Sequence, residues 1–124
     1  GDHRRLHTRE HHDLASSYLF ATAPEMFAAD VEWPAFQRLA RQVRLARYGI
    51  DCYAYCLLAA GHLDLVVEAG LGYYDIAPLM PIVEAAGGVV TDWNGQPVRG
   101  GGRVIAAANR RLHAQALAIL REAP

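Results

Sequence analysis

Residues 68–92 of the chain read EAGLGYYDIAPLMPIVEAAGGVVTD, and the order of strand and helix signals in and just before this stretch decides the fold. The preceding residues 63–68, LDLVVE, are mostly apolar and partly β-branched, and they predict a strand that ends on Glu68 at the edge of a sheet. A helix is predicted over residues 75–86, where Gly87 and Gly88 end it, and a short strand follows at residues 89–91. This alternation predicts an α/β domain.

The rest of the chain extends the same alternation. A strand is predicted over residues 14–22, an amphipathic helix over 33–47, a largely buried helix over 51–61 and, after a turn at 92–95, a strand over 104–107. Asn109 is predicted to cap a last helix. Pro81 removes a backbone donor inside the 75–86 helix, so we expect a kink or a wide first turn there. Residues 1–13 are rich in His and Arg, and they are predicted to be a flexible leader before a domain over residues 14–124.

Composition argues against several classes of function. The chain has 124 residues, 52% of them hydrophobic, which suits one globular domain. Its 12 basic and 13 acidic residues give a net charge of −1, which argues against nonspecific binding to nucleic acid or to an acidic membrane. No apolar run approaches the roughly 20 residues of a transmembrane helix and the N-terminus is polar, so we expect a soluble, cytoplasmic protein.

A dispersed motif within residues 74–92 carries a family resemblance. It consists of an aromatic residue and Asp, then Ala, an apolar stretch, Glu, Ala-Gly-Gly, an apolar pair and a final Asp, filled here by Tyr74-Asp75, Ala77, Ile82, Glu84, Ala86-Gly87-Gly88 and Thr91-Asp92. This pattern resembles the second signature of the inositol monophosphatase superfamily. The resemblance implies the C-terminal half of a sugar-phosphatase fold, a layered αβα domain whose mixed sheet is flanked by helices. It also implies a Mg2+-dependent phosphomonoesterase that acts on a small phosphorylated metabolite and forms a homodimer.

Asp75 is the candidate metal ligand. In the family that the motif resembles, the Asp of the aromatic-Asp pair binds magnesium. The chemistry is consistent with this role, because a carboxylate held at the start of a helix is a rigid, hard oxygen ligand of the kind that Mg2+ prefers. The alternative is that Asp75 only caps its helix.

Four residues are candidates for substrate binding. Glu68 lies where the family places an acid that bonds substrate hydroxyls or amines; alternatively, it is a charge at the sheet's edge paired with an Arg. Gly49, Ile50 and Asp51 match a glycine-led turn that borders the substrate. The run from Gly49 to Tyr55, GIDCYAY, resembles the histidinol-phosphate phosphatase branch, and the Asp51 carboxylate suits a cationic amine or imidazolium through charge-assisted hydrogen bonds. The alternative is that Asp51 caps the helix that follows.

Two features of the family are missing from the sequence. It contains no Asp-Pro-x-Asp-Gly-Thr/Ser segment and no upstream Glu of the kind that supplies the other metal ligands and positions the attacking water. We therefore expect that an N-terminal catalytic half belongs with this chain, that no catalytic residue lies in the chain itself, and that the chain is inactive alone. The alternatives are an inositol monophosphatase, or a phosphatase half retained as a non-catalytic domain for dimerisation or partner binding.

Overall fold

A five-stranded mixed sheet organises the chain in a computed structural model that describes residues 6–10, 13–49, 53–100 and 102–122. In chain order the elements are β1 (Tyr18–Ala21), α1 (Glu32–Ala40), β2 (Leu45–Tyr48), α2 (Tyr53–Ala59), β3 (Leu65–Leu71), α3 (Tyr73–Ile76), α4 (Met80–Ala85), β4 (Val89–Thr91), β5 (Gly102–Ala107) and α5 (Arg110–Leu120). The strands lie in the order β2-β1-β3-β5-β4. β1 runs parallel to β2 and β3, whereas β5 runs antiparallel to β3 and β4.

Helices cover both faces of this sheet, which confirms the predicted layered α/β fold. The connection through α1 leads from β1 outward to β2, and the connection through α2 leads back across β1 to β3. Because parallel crossovers are right-handed, α1 and α2 lie on opposite faces. α5 packs with α1, and α4 packs with α2. No helix in the described part of the chain is long and apolar enough to span a membrane.

The central strand β3 forms the middle of the core. Its residues from Leu65 to Ala69 are all buried, and the cluster around them draws on every layer of the domain. The strand predicted over residues 63–68 therefore exists, but it begins at Leu65 and continues to Leu71. The predicted cap of the last helix is confirmed, because the Asn109 side chain accepts a hydrogen bond of 3.0 Å from the Leu112 amide.

The helix predicted over residues 33–47 is wrong beyond Ala40. α1 ends there, and residues 45–48 form the edge strand β2, with Leu45 opposite Tyr18 and Tyr48 opposite Ala21. The spacing of Val43 and Ala46 continues the helical period by coincidence. The segment is a strand because the backbone groups of β1 form hydrogen bonds with it. The sequence of residues 45–48 alone does not show that β1 lies beside them.

The helix predicted over residues 75–86 is two helices. α3 ends at Ile76 and α4 begins at Met80, so the break is wider than the expected kink. Pro81 lies in the first turn of α4, where a helix does not use the amide proton that proline lacks. The backbone donor that proline removes therefore sets where the second helix starts.

The predicted leader is anchored at two of its residues. The Thr8 amide donates to the Ala86 carbonyl at 3.0 Å, and Thr8 is buried. The Arg9 guanidinium donates to the Gly61 carbonyl at 2.9 Å and lies 3.1 Å from the buried Asp64 carboxylate. These contacts attach residues 8 and 9 to the domain, while the predicted domain boundary stays a prediction.

The two glycines of the Gly87-Gly88 pair are required for different structural reasons. Gly87 adopts φ of +103°, which side chains other than glycine rarely tolerate. A Cβ at Gly88 would lie 2.6 Å from Cγ1 of Val83 and 2.9 Å from the carbonyl oxygen of Ala107. α4 and β5 therefore approach each other across Gly88 at a distance that leaves no room for a methyl group.

Replacing Gly88 by alanine is expected to lower the free energy of unfolding by about 2 kcal/mol, because the added methyl group overpacks the contact between α4 and β5. Gly100→Ala is the matched control, since a Cβ there meets no atom within 4 Å, and a change within about 0.5 kcal/mol is expected. Urea unfolding of both variants measures the difference. Equal stability of the two variants would contradict the steric explanation.

Candidate active-site edge

The carboxyl ends of three parallel strands meet at one edge of the sheet. Thr22 directly follows β1, Gly49 directly follows β2, and Glu68 of β3 lies beside Thr22. In α/β proteins this edge is where ligands bind, because the loops after the strands converge there. The fold therefore brings together Gly49 and Glu68, two of the predicted substrate-binding residues.

Thr22 joins these two residues. Its hydroxyl lies 3.2 Å and 3.1 Å from the two carboxylate oxygens of Glu68, and its carbonyl oxygen accepts a hydrogen bond of 2.8 Å from the Gly49 amide. Thr22 is not among the residues predicted from the sequence. Its position in the sequence could have pointed to it, because Thr22 ends a predicted strand just before Ala-Pro. A small hydroxyl side chain at a strand end can reach the neighbouring strand.

The Glu68 carboxylate is almost completely buried, with 1% of the residue exposed. Across the sheet, Glu68 pairs with Val104 of β5. Burying a carboxylate is unfavourable unless it is hydrogen-bonded, and the Thr22 hydroxyl is one such partner. The Glu68 side chain is thus held within the sheet and does not project into solvent.

The turn after β2 begins at Gly49 in a left-handed conformation, with φ of +97°. A Cβ there would meet no atom within 4 Å, so the backbone conformation is the reason for glycine, not a lack of space. Tyr48 precedes the turn, and burial raises the pKa of its phenol. Ile50 and Asp51 lie outside the described residues, and their roles in substrate binding stay predictions.

Asp75, the predicted metal ligand, is the third residue of the short helix α3 and is exposed. The position that caps α3 belongs to Gly72, so Asp75 is not the N-cap residue. A Cβ on Gly72 would lie 2.9 Å from Oδ2 of Asp75, which shows that the carboxylate lies back over the Gly72 backbone. The carboxylate is exposed just beyond the end of β3, a place that suits a metal ligand.

One carboxylate is not a complete Mg2+ site, because Mg2+ takes six oxygen ligands in near-ideal octahedral geometry. Within the described residues, no group of three or more His, Cys, Asp or Glu side chains is placed to hold a metal ion. Asp75 therefore fits Mg2+ as a single ligand, and this part of the chain does not enclose an ion by itself.

The motif contains two other acids, Asp92 and Glu84. Oδ1 of Asp92 accepts hydrogen bonds from the amides of Asn94 and Gln96, at 2.8 Å and 2.9 Å, and so holds the turn after β4. Glu84 is exposed on α4. Neither was predicted to belong to the site.

Sequence reasoning also missed a second buried acid, just before β3 begins. Asp64 is fully buried, accepts a hydrogen bond of 2.7 Å from the Tyr18 amide, and pairs with Arg9. It lies at the opposite end of the sheet from Glu68, where it ties the start of β1 and the segment containing Arg9 to β3. Its partners indicate a structural role.

Comparison with known proteins gives consistent family matches. The profile described as the inositol monophosphatase family matches residues 3–124. The bifunctional phosphatase IMPL2, chloroplastic, of Arabidopsis thaliana is 40% identical over 121 residues, which are 90% of this chain and 35% of that protein. The histidinol-phosphatase of Streptomyces coelicolor is 32% identical over 119 residues, which are 95% of this chain and 44% of that protein.

A solved structure has the same fold. An inositol monophosphatase from Zymomonas mobilis superposes with a TM-score of 0.89 and 41% sequence identity, over 94% of this chain and 47% of that one. The chain therefore spans from about a third to about half the length of these relatives.

Proposed function

This chain belongs to the inositol monophosphatase family, whose members are phosphoric monoester hydrolases, and we propose on that premise that it forms part of a Mg2+-dependent phosphatase. The observation that carries the proposal is the meeting of Gly49 and Glu68 through Thr22 at the carboxyl edge of the sheet. Asp75 follows four residues after the end of β3, at the same end of that strand. Glu68, a candidate for substrate binding, and Asp75, the candidate metal ligand, thus lie on the consecutive elements β3 and α3.

Asp75 would hold Mg2+ as one ligand among several, with the remaining ligands supplied from outside the described residues. When bound, Mg2+ neutralises charge on the phosphoryl group. The contribution of this chain is then to hold an oxygen ligand on α3 and to present the substrate-recognition groups beside it. The chain alone is proposed to be inactive, because the described residues assemble no complete metal site.

Histidinol phosphate is the proposed substrate, with inositol phosphate second. Two acids, Glu68 and the predicted Asp51, favour a substrate that carries a positive charge, because a carboxylate forms stronger hydrogen bonds to an ammonium or imidazolium group than to a hydroxyl. The name of the Streptomyces relative agrees with this order, whereas the name of the Zymomonas structure favours the second substrate. Homodimer formation and a cytoplasmic location stay predictions from the resemblance and the composition.

The test uses a full-length protein in which this chain follows an N-terminal half with the Asp-Pro-x-Asp-Gly-Thr/Ser segment. With Mg2+ present, kcat/KM is expected to be higher for histidinol phosphate than for inositol 1-phosphate. Asp51→Asn is expected to raise KM for the amine substrate about tenfold, because a charge-assisted hydrogen bond is lost, and to change KM for the polyol little. Hydrolysis of inositol 1-phosphate but not of histidinol phosphate would reverse the order of substrates.

A non-catalytic domain for dimerisation or partner binding is the second candidate. The observation that favours it is that the described residues bring no three metal-binding side chains together. If no upstream sequence of the Asp-Pro-x-Asp-Gly-Thr kind accompanies the chain in its gene, the non-catalytic role gains support. Its presence favours the phosphatase.

A further inference from the structure

The contact between Thr22 and Glu68 has a geometry that restricts the carboxylate. The Thr22 hydroxyl is nearly equidistant from the two oxygens of Glu68, at 3.2 Å and 3.1 Å, so its single hydrogen can be donated to either oxygen or shared between them. Threonine is β-branched, and its χ1 angle has few allowed values. The hydroxyl therefore limits where the carboxylate can lie relative to β1, in a setting where Glu68 is buried and has little room to be solvated.

The main chain of Thr22 holds the neighbouring turn. Its carbonyl oxygen accepts the Gly49 amide at 2.8 Å, and the Ala21 carbonyl lies 3.3 Å from the same amide. β1 lies between β2 and β3 in the sheet, so the residue that leaves β1 is placed to contact both neighbours. Thr22 uses its side chain for β3 and its main chain for β2.

The chain after Thr22 leaves β1 in a defined direction. Ala23 is extended, with φ of −159° and ψ of 149°, as expected for the residue before a proline. Pro24 then starts a short 3-10 turn over Pro24–Met26. The backbone on both sides of Thr22 is therefore restricted, and its side chain does not depend on a freely moving loop.

From these contacts we propose that Thr22 is a positioning residue, which orients the Glu68 carboxylate and the Gly49 turn toward the part of the substrate that is not phosphate. Thr22 acts through Glu68 and does not itself contact the substrate. The inference rests on the proposed phosphatase function. Because Asp75 lies on a different element, α3, loss of the Thr22 hydroxyl weakens substrate binding and leaves the chemical step nearly unchanged.

Thr22→Val and Thr22→Ser separate this role from packing. Valine keeps the shape of threonine and lacks the hydroxyl, whereas serine keeps the hydroxyl. In the full-length protein, Thr22→Val is expected to raise KM for histidinol phosphate about tenfold, because a hydrogen bond to a charged group is lost. The value of kcat is expected to stay within about twofold, because an interaction made equally in ground and transition states affects KM alone. Thr22→Ser is expected to restore KM to near the wild-type value.

Thr8→Val is the matched control. Thr8 is a buried threonine whose hydroxyl donates to the Ala86 carbonyl at 3.3 Å, and its neighbour Arg9 contacts Asp64, just before the start of β3. Its replacement is expected to lower the thermal midpoint without changing KM. A rise in KM in Thr8→Val as large as that in Thr22→Val would overturn the inference, because the effect would then follow from general destabilisation.

A double-mutant cycle tests whether Thr22 acts through Glu68. In a Glu68→Gln background, Thr22→Val is expected to add little further increase in KM, since glutamine has already removed the charge through which Thr22 acts. Full additivity of the two effects on KM overturns the inference. Thr22→Ala provides a second variant without the hydroxyl if Thr22→Val does not fold.

Different results would overturn the proposed phosphatase function and the proposed role of Thr22. A wild-type full-length protein without Mg2+-dependent turnover on either substrate overturns the proposed function, and the inference falls with it. Wild-type turnover combined with an unchanged KM in Thr22→Val, or with a KM in Thr22→Ser as high as that in Thr22→Val, overturns the inference alone.

Discussion

Asp75→Asn is expected to lower the Mg2+-dependent turnover of the full-length protein by about 100-fold or more, since losing one metal ligand removes several kcal/mol of charge stabilisation. Asparagine has nearly the same shape as aspartate but no negative charge, so it is a weak ligand for Mg2+. Asp75 is exposed on α3, where it contributes little to the core. The variant is therefore expected to fold normally, and the loss of turnover reports on chemistry.

Steady-state kinetics over a range of Mg2+ concentrations measure this effect. The concentration of Mg2+ at half-maximal rate is expected to rise in Asp75→Asn, which a general loss of folded protein would not produce. Glu84→Gln is the matched control, because Glu84 is an exposed acid of the same motif on the next helix, and it is expected to keep wild-type turnover. The 124-residue chain alone gives the baseline, at which we expect no turnover. Full activity of Asp75→Asn would remove Asp75 from the metal site.

The second large effect concerns stability. Asp64→Ala is expected to lower the free energy of unfolding by about 3 kcal/mol, because it leaves the Tyr18 amide without its acceptor and removes the partner of Arg9. Asp64 is fully buried, while the Arg9 side chain is 30% exposed. Arg9 can therefore regain water on losing its partner, which places the expected effect at the low end for a broken buried ion pair.

Urea unfolding of Asp64→Ala, with the slope and the midpoint fitted separately, measures this loss. Asp30→Ala is the control, because Asp30 is exposed and its carboxylate accepts a hydrogen bond only from the amide of the next residue, Val31, among the contacts described. A change within about 0.5 kcal/mol is expected there. If the two variants unfold at the same midpoint, Asp64 does not organise the start of β1 and β3.

Most of the fold follows from local patterns in the sequence. The strand that became β3, the Gly87-Gly88 stop and the Asn109 cap all depend on residues within a few positions of one another. The largest error lies at residues 45–48, where an apolar spacing compatible with a helix belongs to an edge strand. That segment is a strand because β1 lies beside it, and no local pattern contains that information.

Some residues of the candidate site stand in local sequence motifs, and one does not. Gly49, Glu68 and Asp75 were identified in the sequence, because each stands in a short motif with neighbours that can be read together. Thr22 was not, since its meaning depends on Glu68, which is 46 residues away.

The sequence by itself determined the family, the α/β class and which acids are candidates for binding, because glycine stops, capping residues and short motifs act over a few residues. Only the tertiary structure showed where each acid lies and what it contacts. Glu68 of β3 lies beside the Thr22 hydroxyl at the carboxyl end of β1, whereas Asp64 lies just before β3 begins and pairs with Arg9, which is 55 residues away. The two carboxylates are four residues apart and have different surroundings, because an extended strand carries one of them toward the carboxyl end of β1 and the other toward its start.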